Sequence, residues 1–295
     1  MLRRVCLIIW AIVAFNTNII AQINKEFKVE KTEDFSQVKL NFSSYKGISH
    51  IGRDHSGLPI FIEASLAKVN ILPSFQYSVR NNILSATLDH RNVESESLGK
   101  SITSRLFPSS NDDFDHDWKV GLNTNFLYDL NLNFGIGRAD IDLSNINVTK
   151  CKIKTATADV VLKYSKSIPN PISMDTMSVS VNMGNVEANG LNFSNAKQMI
   201  FDVNYGNVNL IFSGDMSQAT HVRASVGAGS VNITLPDTDT PYIVKVQSTA
   251  MCRTSIPHYL KSIGNKTYIS KGYSAGAGNL MTIEIDVSVG SVALK

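Results

Sequence analysis

Apolar and polar residues alternate with a period of two along most of this chain, and short polar turns interrupt the alternation. That pattern predicts half-buried β-strands rather than helices. One unit recurs: three alternating apolar positions, then Gly, then Asn or Ser, then Val and another alternating pair. It stands as Val179–Ala188 around Gly184, as Phe201–Leu210 around Gly206, as Val226–Ile233 around Gly229, and as Ile285–Leu294 around Gly290. A variant comes earlier, where Leu130–Leu143 matches Cys151–Leu162 at an offset of 19. The spacing from Gly184 to Gly206 is 22, and from Gly206 to Gly229 it is 23. From Gly229 to Gly290 it is 61, enough for about three coils, or fewer with an insertion.

Self-similarity at a period near 20 residues points to an array of stacked short strands. A lone strand pair buries too little apolar surface to stand alone. Stacked copies gain a hydrogen-bonded neighbour about 4.8 Å away, and Leu132, Cys151, Val181 and Val203 are expected to form an inward ladder. The expected fold is all-β: a β-solenoid resembling a single-stranded β-helix over 119–295, with an insertion near 247–279. Residues 22–118 are less regular. Val38–Phe42, Ile60–Ile62, Phe75–Val79 and Leu84–Leu88 read as short strands, either degenerate first coils or an N-terminal capping region, with a polar loop at 92–117.

Residues 1–21 read as a secretory leader: Arg3 and Arg4 precede an apolar run from Val5 to Phe15, and Ala21 offers a small residue at a cleavage position. The run is too short for a membrane helix, which needs about 20 apolar residues. The expectation is an exported chain without a transmembrane anchor, in the periplasm, at the outer surface or secreted. The whole chain has 28 basic and 25 acidic side chains; without Arg3 and Arg4 the balance is +1. No Lys/Arg run exceeds two residues, so the clustered basic footprint of a nucleic-acid binder is missing. Three Cys are too few for a disulfide scaffold. Cys151 and Cys252 could pair in an oxidising compartment, although Cys151 alternates with Ile153 like a small core residue.

The segment Tyr128–Ser144, within Trp118–Leu162, together with Ile283–Lys295 and its Val289-Gly-Ser-Val-Ala-Leu, resembles the toast-rack and adhesin-type β-strand-repeat families of the bacterial cell envelope. The resemblance covers about 119–295. It implies an exported, non-catalytic β-helical protein, an adhesin or an envelope-stress component, and supplies no catalytic or binding residues to carry over.

Candidate chemistry is sparse. Gly135/Gly137, Gly227/Gly229 and Gly276/Gly278 form Gly-x-Gly pairs, but alternation resumes at once, whereas a phosphate cradle needs a helix to follow. Asp112, Asp113, Asp115, His116 and Asp117 could hold Ca²⁺ weakly, yet lack the loop pattern of a calcium site and read more simply as a solvated loop. His50 and His55 flank Asp54 without metal-ligand spacing. Asp175-Thr176-Met177 resembles a short O-glycosylation acceptor. Aligned at the offset of 19, Asp140 and Asp159 share one outward position on adjacent coils, and Asn185, Asn207, Ser230 and Ser291 continue that row. The row is either a plain polar ladder or a carbohydrate- or cation-binding stripe. Arg138, Asp140, Asp142 and Asp159 are the one dense charged set on the repeats that a polysaccharide-processing enzyme could use. The reading adopted is a non-enzymatic envelope interaction protein with no cofactor and no metal, whose partners are envelope glycans or proteins. A periplasmic stress or signalling component is the alternative, and a β-helix enzyme acting on polysaccharides the third.

Overall fold

Alternating burial produces the strands of the structure, a computed structural model that describes residues 23–30, 34–67, 72–90 and 116–295. The leader and most of the loop 92–117 lie outside the described residues. In chain order the strands begin with β1 (Ile23–Val29), β2 (Gln37–Arg53), β3 (Ile60–Leu66), β4 (Ser74–Arg80), β5 (Ile83–Asp89) and β6 (Asp117–Leu122). There follow β7 (Leu127–Asp142), β8 (Asn147–Lys163), β9 (Met174–Met183), β10 (Val186–Asn189), β11 (Ala196–Ile211) and β12 (Thr220–Thr234). The last are β13 (Tyr242–Ser248), β14 (Cys252–Ser255), β15 (Lys261–Gly264), β16 (Thr267–Ile269) and β17 (Met281–Leu294). The protein is all-β, and a 3₁₀ turn at Leu191–Ser194 is the sole helical element among the described residues.

Long strands stack in parallel, each on the next. β2 pairs with β7, β7 with β8, and β8 with both β9 and β10. β11 then pairs with β9 and β10 on one side and with β12 on the other, and β12 pairs with β17. Side chains at matching positions form columns. Phe42, Leu132, Ile153, Val179, Phe201, Ala224 and Ile285 make one. Ile51, Ile141, Leu162, Ala188, Leu210, Ile233 and Leu294 make a second on the other half of each strand. All of these are buried, and each large one stabilises the fold by roughly 1.5–3 kcal/mol. Large residues meet small ones, Phe201 against Ala224 for example, which fills the space without overpacking.

Each long strand bends at a corner near its middle. Gly47, Gly137, Gly184, Gly206, Gly229 and Gly290 occupy that corner with φ between 109° and 147°, a region that side chains disfavour. Stacking adds a second demand: a Cβ on Gly206 would lie 1.7 Å from the Gly184 carbonyl oxygen, and one on Gly229 1.6 Å from that of Gly206.

The structure corrects the register read from the sequence. β7 and β8 are offset by 21 rather than 19 at the corner, because Gly137 faces Ala158 and Arg138 faces Asp159. The inward ladder divides accordingly: Leu132 stacks on Ile153, Cys151 on Leu130, and Val181 on Val203. Gly229 and Gly290 are direct neighbours, not three coils apart.

The ends are built differently from the middle. β2 lies inside the stack, between β7 and a split rung in which β5 covers its first half and β6 its second. β4 adds antiparallel to β5, β3 adds antiparallel to β6, and β1 adds antiparallel to β3. The expected boundary at 118/119 therefore falls within β6, and β2 belongs to the stack as fully as β7 does. At the other end β13 and β14 cover the two halves of β17. The β15–β16 hairpin pairs antiparallel onto β13. Much of the segment 247–279 thus helps cover an edge.

Candidate functional site

The corner sets the outward row that follows it. One residue past each corner position stand Arg138, Asp159, Asn185, Asn207, Ser230 and Ser291 in successive rungs. Parallel in-register stacking brings like side chains within reach of one another, and they bond along the stack. Asn185 donates its backbone N–H (2.7 Å) and its side-chain Nδ2 (3.0 Å) to Asp159 Oδ1. Asn207 Nδ2 donates to Asn185 Oδ1 at 2.9 Å, and Ser230 Oγ to Asn207 Oδ1 at 2.6 Å. A second row repeats the device, with Asn204 Nδ2 donating to Asn182 Oδ1 at 3.0 Å.

Asp140 is not in this row. It stands two positions further along β7, opposite His50 of β2 and Val161 of β8. The reason lies in the pleat: a slip of two residues returns every side chain to the same face, so alternation alone cannot separate an offset of 19 from one of 21. Arg138 takes the place assigned to Asp140 and binds that carboxylate, Nε to Oδ1 at 2.7 Å. This hydrogen bond, followed by the charge of Asp140, raises the Arg138 pKa above its usual value.

Asp140 leads instead into a groove of about 470 Å³ at the N-terminal end of the outer face, shared by β2, β3, β6, β7 and β8. His50 stands between two carboxylates, Nε2 lying 3.7 Å from Asp117 Oδ1 and Nδ1 lying 3.6 Å from Asp140 Oδ2. Arg53, Lys119 and Lys163 line the groove together with Asp54, Glu63 and Asp142. Lys119 Nζ is 4.0 Å from Glu63 Oε2. Burial works to raise the Asp142 pKa, but hydrogen bonds from Ser144 and Ser165 outweigh it and hold the carboxyl below its usual value. Asp54 is likewise lowered, its burial outweighed by hydrogen bonds from Ser56 and His55.

Sequence reasoning found Arg138, Asp140, Asp142 and Asp159, noted His50 only beside Asp54 and His55, and missed Lys119 and Glu63; the structure brings these together from strands remote in sequence. A signal was present: His50 follows Gly47 by the same three positions that separate Asp140 from Gly137.

The other sequence candidates fall elsewhere. Asp112, Asp113 and Asp115 lie outside the described residues. His116 is buried against His90, with ring centroids 5.5 Å apart. Burial first, then the charges of Lys46 and His90, push its pKa down to about 4. Asp117 points to His50, and no group of His, Cys, Asp or Glu among the described residues is arranged to hold a metal ion. Gly135/Gly137 and Gly227/Gly229 sit inside continuous strands. Thr176 lies within β9, half-buried between Lys150 and Gln198. Cys151 and Cys252 are both free thiols. Cys151 is fully buried, and burial, with Asp129 nearby, pushes its pKa up to about 12. Among the described residues no helix is long and apolar enough to cross a membrane.

Comparison with known proteins adds one firm match. The family model described as the N-terminal domain of toast_rack, DUF2154, matches residues 22–176. No curated protein matches the chain. Among solved structures, one titled a "putative cell adhesion protein" from Clostridium sporogenes is 15% identical with a TM-score of 0.48, over 93% of this chain and 99% of that one. A "putative adhesin" from Bacteroides fragilis is 12% identical with a TM-score of 0.36, over 93% and 97%. A "putative lipid binding protein" from Parabacteroides distasonis is 9% identical with a TM-score of 0.25, over 95% and 98%. At these scores the titles speak for those proteins alone.

Proposed function

The chain belongs to the toast-rack family, and from that premise we propose that it is an exported envelope protein whose rungs form one short β-solenoid and whose outer face binds other envelope components. The supporting observation is the outward row Asp159, Asn185, Asn207 and Ser230, held in line by its own hydrogen bonds. A row fixed in this way presents amides and hydroxyls at one rung spacing, about 4.8 Å, on an extended shallow surface suited to a glycan or a protein strand. Ordering entropy that a mobile surface loses on binding is already lost here on folding.

Binding is favoured over polysaccharide hydrolysis on a specific ground. A hydrolase needs one carboxyl whose pKa is raised so that it can donate a proton. Asp140 lies against Arg138 and His50, and Asp142 accepts from Ser144 and Ser165 and is held low. The arrangement at Asp142 favours the ionised form, and the Asp140 carboxylate is engaged by Arg138.

Two measurements test the reading. Intact cells treated with a membrane-impermeant amine reagent should show the chain labelled, as expected of a protein at the outer surface. Cross-linking to isolated envelope should capture a partner that the Asn185→Leu/Asn207→Leu variant no longer captures. Capture unchanged by that variant would remove the ladder from the interaction.

A further inference from the structure

The near-neutral charge of the whole chain conceals a basic row on the other half of the outer face. Lys150, Lys152 and Lys154 point outward from β8 and are exposed, alternating with buried Cys151, Ile153 and Thr155. Same-face residues on a strand stand about 7 Å apart. In register, Lys152 lies between Asn131 of β7 and Ser178 of β9, and Lys154 between Asn133 and Ser180. Carboxylates stand on both sides of the row. Asp129 is beside Lys150, and Asp202 is two rungs from Lys154. Asp175 is bound by Lys197 at 2.9 Å. Its carboxyl is held low first by the Lys197 hydrogen bond and charge, with a smaller contribution from Lys150. Among the described residues no ion pair involves the three β8 lysines.

The flanks are set by their own bonds. Asn131 Nδ2 donates to Asn41 Oδ1 at 3.1 Å, and Asn133 Nδ2 to Ser43 Oγ at 3.4 Å. Three like charges at this spacing repel one another in water. Their alignment, their lack of ion pairing and the neutral polar flanks of Lys152 and Lys154 together describe a face that complements a linear anion.

We propose that the outer face of β8 is a binding site for an acidic polysaccharide, laid along the strand with its carboxylates over Lys150, Lys152 and Lys154 and its hydroxyls against the flanking amides and hydroxyls. A glycan is favoured over a lipid surface because no large apolar side chain flanks these lysines on β7 or β9; the exposed Met183 and Tyr205 lie beyond Ser180, toward the corner, and Met251 lies in a loop. It is favoured over nucleic acid because no aromatic side chain flanks these lysines on β7 or β9 for bases to stack on. The site deepens the envelope-binding reading by naming a ligand class, but it uses the opposite half of the rung from the Asp159–Ser230 ladder.

Binding of the full chain to polygalacturonate, dextran, polyphosphate and phosphatidylglycerol vesicles tests this. The expected result is binding to polygalacturonate at about 50 mM salt, weakened roughly tenfold or more at about 0.3 M, because contacts between exposed charges are screened. Dextran, polyphosphate and vesicles should bind at least about tenfold more weakly. The Lys150→Gln/Lys152→Gln/Lys154→Gln variant should lose roughly tenfold or more in affinity for polygalacturonate with its thermal midpoint unchanged. The single Lys152→Glu variant should lose a smaller but clear share. The Lys245→Gln/Lys261→Gln control, at the far end of the stack, and the Asn185→Leu/Asn207→Leu variant should bind as the parent does. Absence of polygalacturonate binding, equal binding by the triple variant, or equal or stronger binding to polyphosphate or to vesicles would overturn the proposal. None of these outcomes bears on the surface-labelling test above, so the two readings fail separately.

Discussion

A corner glycine meets two constraints that a single methyl group would violate together. At Gly206 the backbone has φ of +145°, and an added Cβ would sit 1.7 Å from the Gly184 carbonyl oxygen. At Gly264 φ is +98° with nothing within 4 Å. Gly264→Ala should therefore cost only the backbone strain, roughly 1 kcal/mol. Gly206→Ala must also push two rungs apart, and we expect it to cost at least about 3 kcal/mol. Thermal or urea midpoints of the two variants separate the contributions; equal losses would mean that rung contact is not limiting. His116 gives a pH signature. Its pKa is near 4 in the folded protein against 6.5 for an ordinary His, so between these values the unfolded chain binds the extra proton. Stability is then fully present above about pH 6.5 and falls as the pH drops toward 4, by roughly 3 kcal/mol in all. Denaturant titrations across that range should show the fall, and His116→Leu should flatten it. The thiols behave differently again: Cys252 should react with a thiol reagent in the native protein, and Cys151 only after unfolding.

Strand identity was legible because period-two burial is written directly in β7, β8, β11, β12 and β17, and a corner glycine marks the bend in each of them but β8, where Ala158 stands. Register was less legible. Nothing in the alternation of Leu130–Phe134 against Cys151–Thr155 distinguishes an offset of 19 from 21. The structure selects 21, with an irregularity between Tyr128 and Asp129. Whether β2 was a first coil or part of a cap was not legible, because its stacking partner lies about 90 residues away, although Gly47 carries the corner signal. The candidate ladder was legible wherever the repeat was regular, from Asn185 to Ser291, and failed at Asp140, where the slip occurred. Ladder bonds make the elements cooperative in a way that can be measured. Asn185 donates to Asp159 and accepts from Asn207, so Asn185→Ala should cost about 1 kcal/mol. No side-chain bond of Ser291 belongs to the ladder, and Ser291→Ala should cost less than about 0.5 kcal/mol. Equal costs would show the ladder to be ornamental to stability.

Chain order and stacking order differ at both ends of the molecule, and this governs how it must assemble. β2 is the first long strand made but is covered by β5 and β6, and β17 is made last but lies between β12 and β13 with β14. Neither terminal long strand is therefore an open edge, and the edges are left to short antiparallel additions. Such short, irregular elements offer a poor template for pairing with another molecule. The interruption of the repeat between Gly229 and Gly290 follows from the same arrangement, since the intervening chain builds the layer beyond β17. β13 and β14 find their parallel partner only when residues 281–294 are available. Deleting 281–295 would thus remove buried Met281, Ile283, Ile285, Val287, Val292 and Leu294, and would also leave β12, β13 and β14 without a shared neighbour. We expect that variant to lose its cooperative thermal transition and to be cleaved rapidly by protease after residue 235. Deleting the outer hairpin at 257–269 leaves β17 paired on both sides, and should lower the midpoint by only a few degrees. If both deletions shift the midpoint by the same small amount, β17 is not the strand that closes the stack.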